Sequence, residues 1–307
     1  PFAQLLFFIG YKLNIGIYGI KLILALFDFG KIVFLYILLK RTGKQRNCLF
    51  VYALNPLVIV EFYTSVHIEP VLCFFTVLAM YFFICKKNMR SFFSVGMAFL
   101  TKYITLIFFP FFIKKIKWIG LLLSGIAILL PFVFFIHSNM FASLKYYVEY
   151  FYFNSALFEI LRIFVSNNSA RILCFLIFLT LYSFLLYNEL IKKQNKKEED
   201  IERYLTFVLR AYILYLFTAP TLHPWYFTVI IPLLALRKNV SLILFSGLIF
   251  LGYGVLYQYF LKGIWNLNPV YLLFQYIPLI IFVFLEKFFK NKIDNFPTGS
   301  YYSSDST

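Results

Sequence analysis

Acidic residues are scarce in this sequence: 13 Asp and Glu among 307 residues, against 29 Lys and Arg, with charges of both signs making up only 14%. So little charge excludes a soluble globular protein. Hydrophobic residues reach 62% and aromatics 22%, for a mean hydropathy of +0.82, whereas soluble domains are roughly half apolar. The same figures exclude disorder. Histidine occurs three times and cysteine four times. Cys48, Cys73, Cys85 and Cys174 have neither paired nor metal-ligand spacing and read as small hydrophobes. The first residue is Pro1, and no basic start with a short apolar core marks a signal peptide. The expectation is a chain whose beginning lies upstream.

What is abundant is positive charge, a net +16. On a soluble protein that surplus would suggest nucleic acid. Here twenty of the 29 cations fall in short clusters between apolar runs: Lys40–Arg46, Lys86–Arg90, Lys114–Lys117, Lys192–Arg203, Arg237–Lys238 and Lys287–Lys292. Basic clusters flanking apolar spans mark cytoplasmic loops, so the charge reads as topology, and no nucleic-acid partner is expected.

A span needs about 20 apolar residues to cross roughly 30 Å of hydrocarbon. Ile15–Leu39 meets this and leaves Pro1–Asn14 extracytoplasmic. Cys48–Val60 leads out to the polar patch Glu61–Glu69, and Val71–Cys85 returns. Ser91–Ile113 lies between two basic clusters that belong on one side. It must therefore enter and leave on that side, as a re-entrant hairpin broken near Thr101, Lys102 and Tyr103. Irregular backbone at membrane depth is tolerated where it is buried in protein or lines a cavity. Trp118–Ile136, Ala170–Leu190, Tyr204–Thr221, Phe227–Leu236, Val240–Tyr257 and Val270–Phe288 complete the predicted spans. His137–Asn168 is expected outside, and Lys192–Arg203 as a solvated cytoplasmic loop. Residues 1–290 form one multi-pass domain and 291–307 a disordered cytoplasmic tail. The expectation is an all-α polytopic transmembrane bundle, without a clear internal repeat. His67, His137 and His223 all fall on its extracytoplasmic side. Asn167-Asn168-Ser169 there fits the N-glycosylation pattern.

Ionisable residues inside a membrane are costly and default to functional hypotheses. Asp28, with Lys31 and Lys21 near the same helical face, reads as an internal ion pair without chemistry. Asn55-Pro56, Glu61, His67 and Glu69 form either a solvated loop or a site where carboxylates and an imidazole hold a proton or bind hydroxyls. His67-x-Glu69 lacks the further ligands a metal would need, and neither metal nor cofactor is expected. Lys102 either snorkels to the surface or is held for a phosphate; at a hairpin tip the anion role is favoured. In Thr221-Leu222-His223-Pro224-Trp225-Tyr226 the aromatics suit an interfacial belt, which does not explain His223. The aromatic stretch from Lys145 through Asn154 to Arg162 reads as an extracytoplasmic interfacial helix, or else as an aromatic wall over the site.

Several phrases then match one pattern in order. They are Asn55-Pro56-Leu57-Val58-Ile59-Val60-Glu61, His67-Ile68-Glu69, Gly96 to Tyr103 ending at Phe109-Pro110, Tyr152 to Phe158, and Pro220 to Tyr226. Together they resemble the polytopic glycosyltransferases of the GT-C class, particularly the polyprenyl-phosphate-sugar-dependent mannosyltransferases and the related GPI mannosyltransferase. The resemblance implies an enzyme that moves a sugar, mannose being the expected one, from a polyprenyl-phosphate donor to a lipid-linked or other glycan acceptor. The reaction would take place on the extracytoplasmic face of a cell or endoplasmic reticulum membrane. It places the main catalytic carboxylate in a first loop, upstream of Pro1 together with the first span. Within this sequence it implies catalytic or positioning roles for His67, Glu69 and His223, and donor-phosphate binding for Lys102 and Arg162. Substrate contacts would come from Asn55, Glu61, Tyr103, Asn154, Trp225 and Tyr226. A polyprenyl-lipid flippase or small-solute transporter is the rival reading.

Overall fold

The structure is a computed structural model that describes residues 1–139, 141–191 and 200–294, with side chains as far as residue 288. The centre of the basic connector, 192–199, and the tail from 295 lie outside the described residues. The described chain is helical, and its one isolated strand-like bridge joins Phe153 to Thr221.

Helix α1 (Phe2–Lys12) folds back on α2 (Ile17–Arg41). Short helices α3 (Phe50–Ala53) and α4 (Pro56–Ile59) follow, then a π-helical turn at Val60–Thr64. α5 (Glu69–Ile84) packs between α2 and α6 (Asn88–Thr101). A 3₁₀ segment, Tyr103–Phe112, precedes α7 (Trp118–Leu129), which a second 3₁₀ segment, Leu130–Phe135, extends. α8 (Ala142–Tyr150), α9 (Ala156–Phe164), α10 (Asn167–Leu190) and α11 (Asp200–Thr218) come next. The chain finishes with α12 (Pro224–Phe227), α13 (Ile231–Leu236), α14 (Val240–Leu248), α15 (Gly254–Lys262) and α16 (Pro269–Asp294).

Five of these stretches are long and apolar enough to cross a membrane: Ile17–Arg41, Trp118–Phe135, Asn167–Leu190, Val240–Lys262 and Pro269–Phe288. Their outward side chains are apolar. Phe29, Phe134, Leu123, Phe175 and Phe284 are among many large hydrophobics left exposed, as a surface facing lipid requires. The chain is a multi-pass membrane protein.

The predicted hairpin is present. α6 ends at Thr101, Lys102 adopts an extended backbone (φ −151, ψ 125), and the 3₁₀ segment runs back along α6. Ring contacts fix the antiparallel pairing, Phe99 on Phe109 and Phe92 on Phe112. Asn88 Nδ2 donates to the Lys115 carbonyl at 3.1 Å, so the two basic clusters at the base of the hairpin lie side by side. Fourteen helical residues then set Lys102 about 20 Å from that base. The base joins other basic segments at one end of the bundle. Lys44 meets Glu202 at 2.7 Å, Lys115 meets Asp200 at 2.7 Å, and Arg237 approaches Glu202 at 3.9 Å.

Other expectations are corrected. Cys48–Val60 is not a straight helix: Pro56 forces Asn55 into an extended conformation, and the chain bends by 52° between Arg46–Ala53 and Pro56–Thr64, the geometry of a broken span or a re-entrant loop. Val71–Cys85 and Phe227–Leu236 become apolar helical stretches, Glu69–Ile84 and Pro224–Leu236, too short to cross on their own. The second is buried at every position but Trp225. The interfacial helix is two helices, α8 and α9. Between them the Phe153–Thr221 bridge pulls the backbone straight, Asn154 turns left-handed (φ 53), and Ser155 caps α9 by accepting from the Phe158 N–H at 3.3 Å. At the C-terminus α16 runs to Asp294, so residues 291–294 are helical rather than part of a tail.

Gly96 lets α7 reach the hairpin: a Cβ there would lie 2.3 Å from Ile128 Cδ1 and 2.4 Å from Cγ1. Gly96→Ala should therefore cost about 1–3 kcal/mol by overpacking. Thermal unfolding in detergent should show the Gly96→Ala/Ile128→Ala double variant less destabilised than the two single losses summed. Simple additivity would contradict this packing.

Candidate active site

At the hairpin tip, Lys102 Nζ pairs with Glu69 Oε1 at 2.5 Å. Glu69 opens α5 and its side chain is only 2% exposed, while that of Lys102 is 28% exposed. The lysine also lies over the Tyr226 ring, 3.8 Å from its centroid. An ammonium has three donors. One is taken by Glu69 and the ammonium also covers the ring; the partly exposed side chain leaves donor capacity for a ligand on its open side. Glu69 Oε2 has no hydrogen-bond partner, so the buried carboxylate depends on Lys102.

Glu61 sits in the π turn with a fully buried side chain. Tyr253 OH donates to its Oε1 at 2.6 Å, and His67 Nε2 lies 3.4 Å from its Oε2. Between them Val66 has φ 62, a left-handed conformation that a β-branched residue adopts only under strain. That kink returns the chain, and the His67 N–H bonds the Glu61 carbonyl at 3.2 Å.

The π turn is anchored from the other side. Tyr63 OH donates to Asp28 Oδ2 at 2.5 Å, and Tyr52 OH bonds the other oxygen of the same carboxylate. Lys31 Nζ is 2.6 Å from Asp28 and lies over the Tyr52 and Phe62 rings. The expected Asp28/Lys31 ion pair is thus present. It grips both residues that follow Glu61, a consequence not visible in the sequence.

His67, Trp225 and His223 form a stack. Trp225 lies between the two imidazoles, with both centroid separations 4.1 Å and interplanar angles of 16° and 9°. Phe153 continues the column beyond His223 at 4.8 Å. Tyr147 and Tyr226 hydroxyls meet at 3.0 Å, which places α8 against the same group. The third histidine, His137, stands apart on an exposed turn. Phe132 and Phe141, on either side of it in the chain, pack on Tyr103 at the hairpin tip.

His67 and His223 sit in loops between helices, and burial lowers both pKa values. For His67 desolvation outweighs the pull of Glu69; for His223 desolvation, aided by Lys102, pushes the value down to about 3. Both imidazoles are neutral near pH 7, which suits proton acceptance.

Other expected ligands have structural tasks. Asn55 caps α4 by accepting from Leu57 N–H at 3.0 Å and donates to Ser246 Oγ at 2.9 Å. Asn154 forms a reciprocal amide pair with Gln275, both bonds 3.0 Å, and Tyr276 OH holds its carbonyl at 2.8 Å. Their buried amides are committed to the fold. Arg162 pairs with Glu159 at 2.6 Å and lies over Tyr152, in a group of its own with no contact to Lys102. Tyr103 packs among Phe99, Phe132 and Phe141. Sequence reasoning missed Tyr253, which no motif marks and which is 192 residues from the carboxylate it holds; Tyr147 lies in the aromatic stretch read as an interfacial helix or as a wall over the site. Among the described residues no group of three or more His, Cys, Asp or Glu side chains could hold a metal.

A histidine whose folded pKa is lowered stays neutral while the unfolded chain takes up its proton, so stability declines as pH falls below about 6.5. Thermal unfolding between pH 7.5 and 4 should show this decline, and His223→Gln should flatten it. An unchanged slope would mean His223 titrates normally.

Residues 4–117 match the family described as "Alpha-(1->6)-mannopyranosyltransferase, N-terminal domain". The match covers just over a third of the chain and includes Glu61, His67, Glu69 and Lys102 but not the α8 to α12 side of the cluster. No curated protein and no solved structure matches. The family match supports an enzyme, a glycosyltransferase of the GT-C type and a mannosyltransferase.

Proposed function

Starting from a chain whose N-terminal part matches a mannosyltransferase domain, we propose that it transfers mannose from a polyprenyl-phosphate donor to a lipid-linked or other glycan acceptor. The reaction takes place at the extracytoplasmic end of the bundle, away from the basic clusters. The observation that carries this is Lys102: a cation at the tip of a hairpin, oriented by a buried carboxylate and an aromatic face, with donor capacity left toward the open side. A phosphate leaving group needs such a preorganised charge as its bond to the sugar breaks.

The lipid half of the donor has a matching feature. An apolar cavity of about 680 Å³ lies between α1, α6 and the Leu130–Phe135 segment, with Phe8, Met97 and Phe134 in its wall. Leu100, also in that wall, is two residues from Lys102. A polyprenyl chain in the cavity would bring its phosphate to the lysine.

His67 is the group of this chain best suited to take the acceptor hydroxyl's proton. It is neutral, 27% exposed and backed by Glu61, an acceptor imidazole steadied by a carboxylate. Trp225 and Tyr226 supply aromatic surface for a sugar ring, and His223 supports Trp225 from behind. Glu69 acts by holding Lys102.

Membranes carrying the full-length protein should transfer label from polyprenyl-phosphate mannose to a lipid or glycan acceptor. Lys102→Gln and His67→Ala should each lower transfer by about 100-fold or more. Removing Lys102 alone also strands a buried carboxylate, at a general cost of about 3–5 kcal/mol. The Lys102→Gln/Glu69→Gln pair therefore serves as the folded control and should be equally inactive. Near-normal transfer by that pair would remove Lys102 from the site. Absence of transfer, together with uptake of a labelled solute into proteoliposomes, would favour a transporter.

A further inference from the structure

The opposite end of the hairpin holds a second cavity, of about 520 Å³, between the first turns of α6 and α7. Five cations line it, Lys86, Lys87, Arg90, Lys115 and Lys117, and no carboxylate does. Lys115 shares its charge with Asp200 at 2.7 Å; the other four have no ion-pair partner among the described residues. These four side chains are exposed, so a ligand arriving from outside can reach them. Here the Asn88 to Lys115 hydrogen bond closes the hairpin base and gathers two separate clusters around one concavity. Both helices that open onto it lack a side-chain cap, which leaves first-turn N–H groups facing the same way.

We propose that this cavity binds a phosphate-bearing anion, specifically the headgroup of an anionic membrane phospholipid. The lipid assignment comes from the rim. Met89, Trp118 and Ile119 are 43%, 73% and 46% exposed beside the cations, an apolar flank along which acyl chains lie while the phosphate sits among lysines and arginine. Basic pockets between membrane helices recognise headgroups in this way. Trp118 begins a stretch long enough to cross the bilayer, which places the rim at the level where indole rings meet headgroups. The site is independent of the transfer chemistry, being about 20 Å of helix away from Lys102. Its occupancy would tie down the base of the hairpin whose tip carries that lysine.

The test uses the full chain in neutral detergent, titrated in turn with phosphatidylglycerol, phosphatidylcholine and inorganic phosphate. Lipid adducts are counted by native mass spectrometry and the unfolding temperature is followed. Phosphatidylglycerol should bind and stabilise at concentrations where phosphatidylcholine does not. Lys87→Gln/Arg90→Gln/Lys117→Gln, three exposed changes, should keep the lipid-free unfolding temperature and lose about tenfold or more in affinity. A charge-matched control, Lys12→Gln/Lys145→Gln/Lys262→Gln, should bind as the unaltered chain does. Equal binding of the two lipids, or undiminished binding by the first triple variant, overturns the proposal. Stabilisation by inorganic phosphate at the same concentrations overturns the lipid assignment and leaves a site for free phosphate.

Discussion

The ion pair between Lys102 and Glu69 is the constraint on which the arrangement depends. A carboxylate 2% exposed, with one oxygen lacking any hydrogen bond, is tolerable only with a cation beside it. That requirement fixes where the hairpin tip must sit, because only there does Lys102 reach both Glu69 at the start of α5 and the face of Tyr226. The pair therefore joins three distant stretches of chain and leaves one charged group facing the open side. Two carboxylates, Glu61 and Glu69, accompany this single lysine, and His67 is neutral. An arriving phosphate therefore gives His67 a reason to take up a proton.

A second buried pair plays a supporting part. Asp28 and Lys31 lie inside α2, remote from the open side, yet through Tyr63 and Phe62 they grip the turn that carries Glu61. A π-helical turn followed by a strained Val66 would have little reason to persist without such clamps. The strain has a use, since it brings His67 back over Glu61 and onto the face of Trp225.

Much of this was legible in the sequence because it follows from one-dimensional patterns. Length and hydropathy revealed the long spans, and the two basic clusters around Ser91–Ile113 forced a hairpin by parity. Glu61, His67, Glu69, Lys102, His223, Trp225 and Tyr226 stood out because polar groups are expensive where they occur, and all seven converge. Contacts whose partners are conventional by themselves were not legible. Tyr253 is one tyrosine among 24, and nothing local marks it as the donor to Glu61. Asn55 and Asn154 belong to conspicuous phrases, and the sequence did not show that their amides satisfy a helix cap and a buried Gln275. Arg162 shared the right composition, and Glu159 claims it. The broken span at Asn55-Pro56 shows a local rule, the extended residue before proline, overriding an apolar run that length alone read as a continuous span.

The central claim is that Lys102 receives the donor phosphate. It is tested most directly by solving the structure of the full-length protein bound to a non-transferable polyprenyl-phosphate mannose analogue. The account predicts phosphate oxygens at charge-assisted hydrogen-bond distance, about 2.7–2.9 Å, from Lys102 Nζ, with the Glu69 contact retained and the sugar against Trp225. A phosphate seated on Arg162, or among the lysines at the base of the hairpin with the Lys102 tip empty, would contradict it.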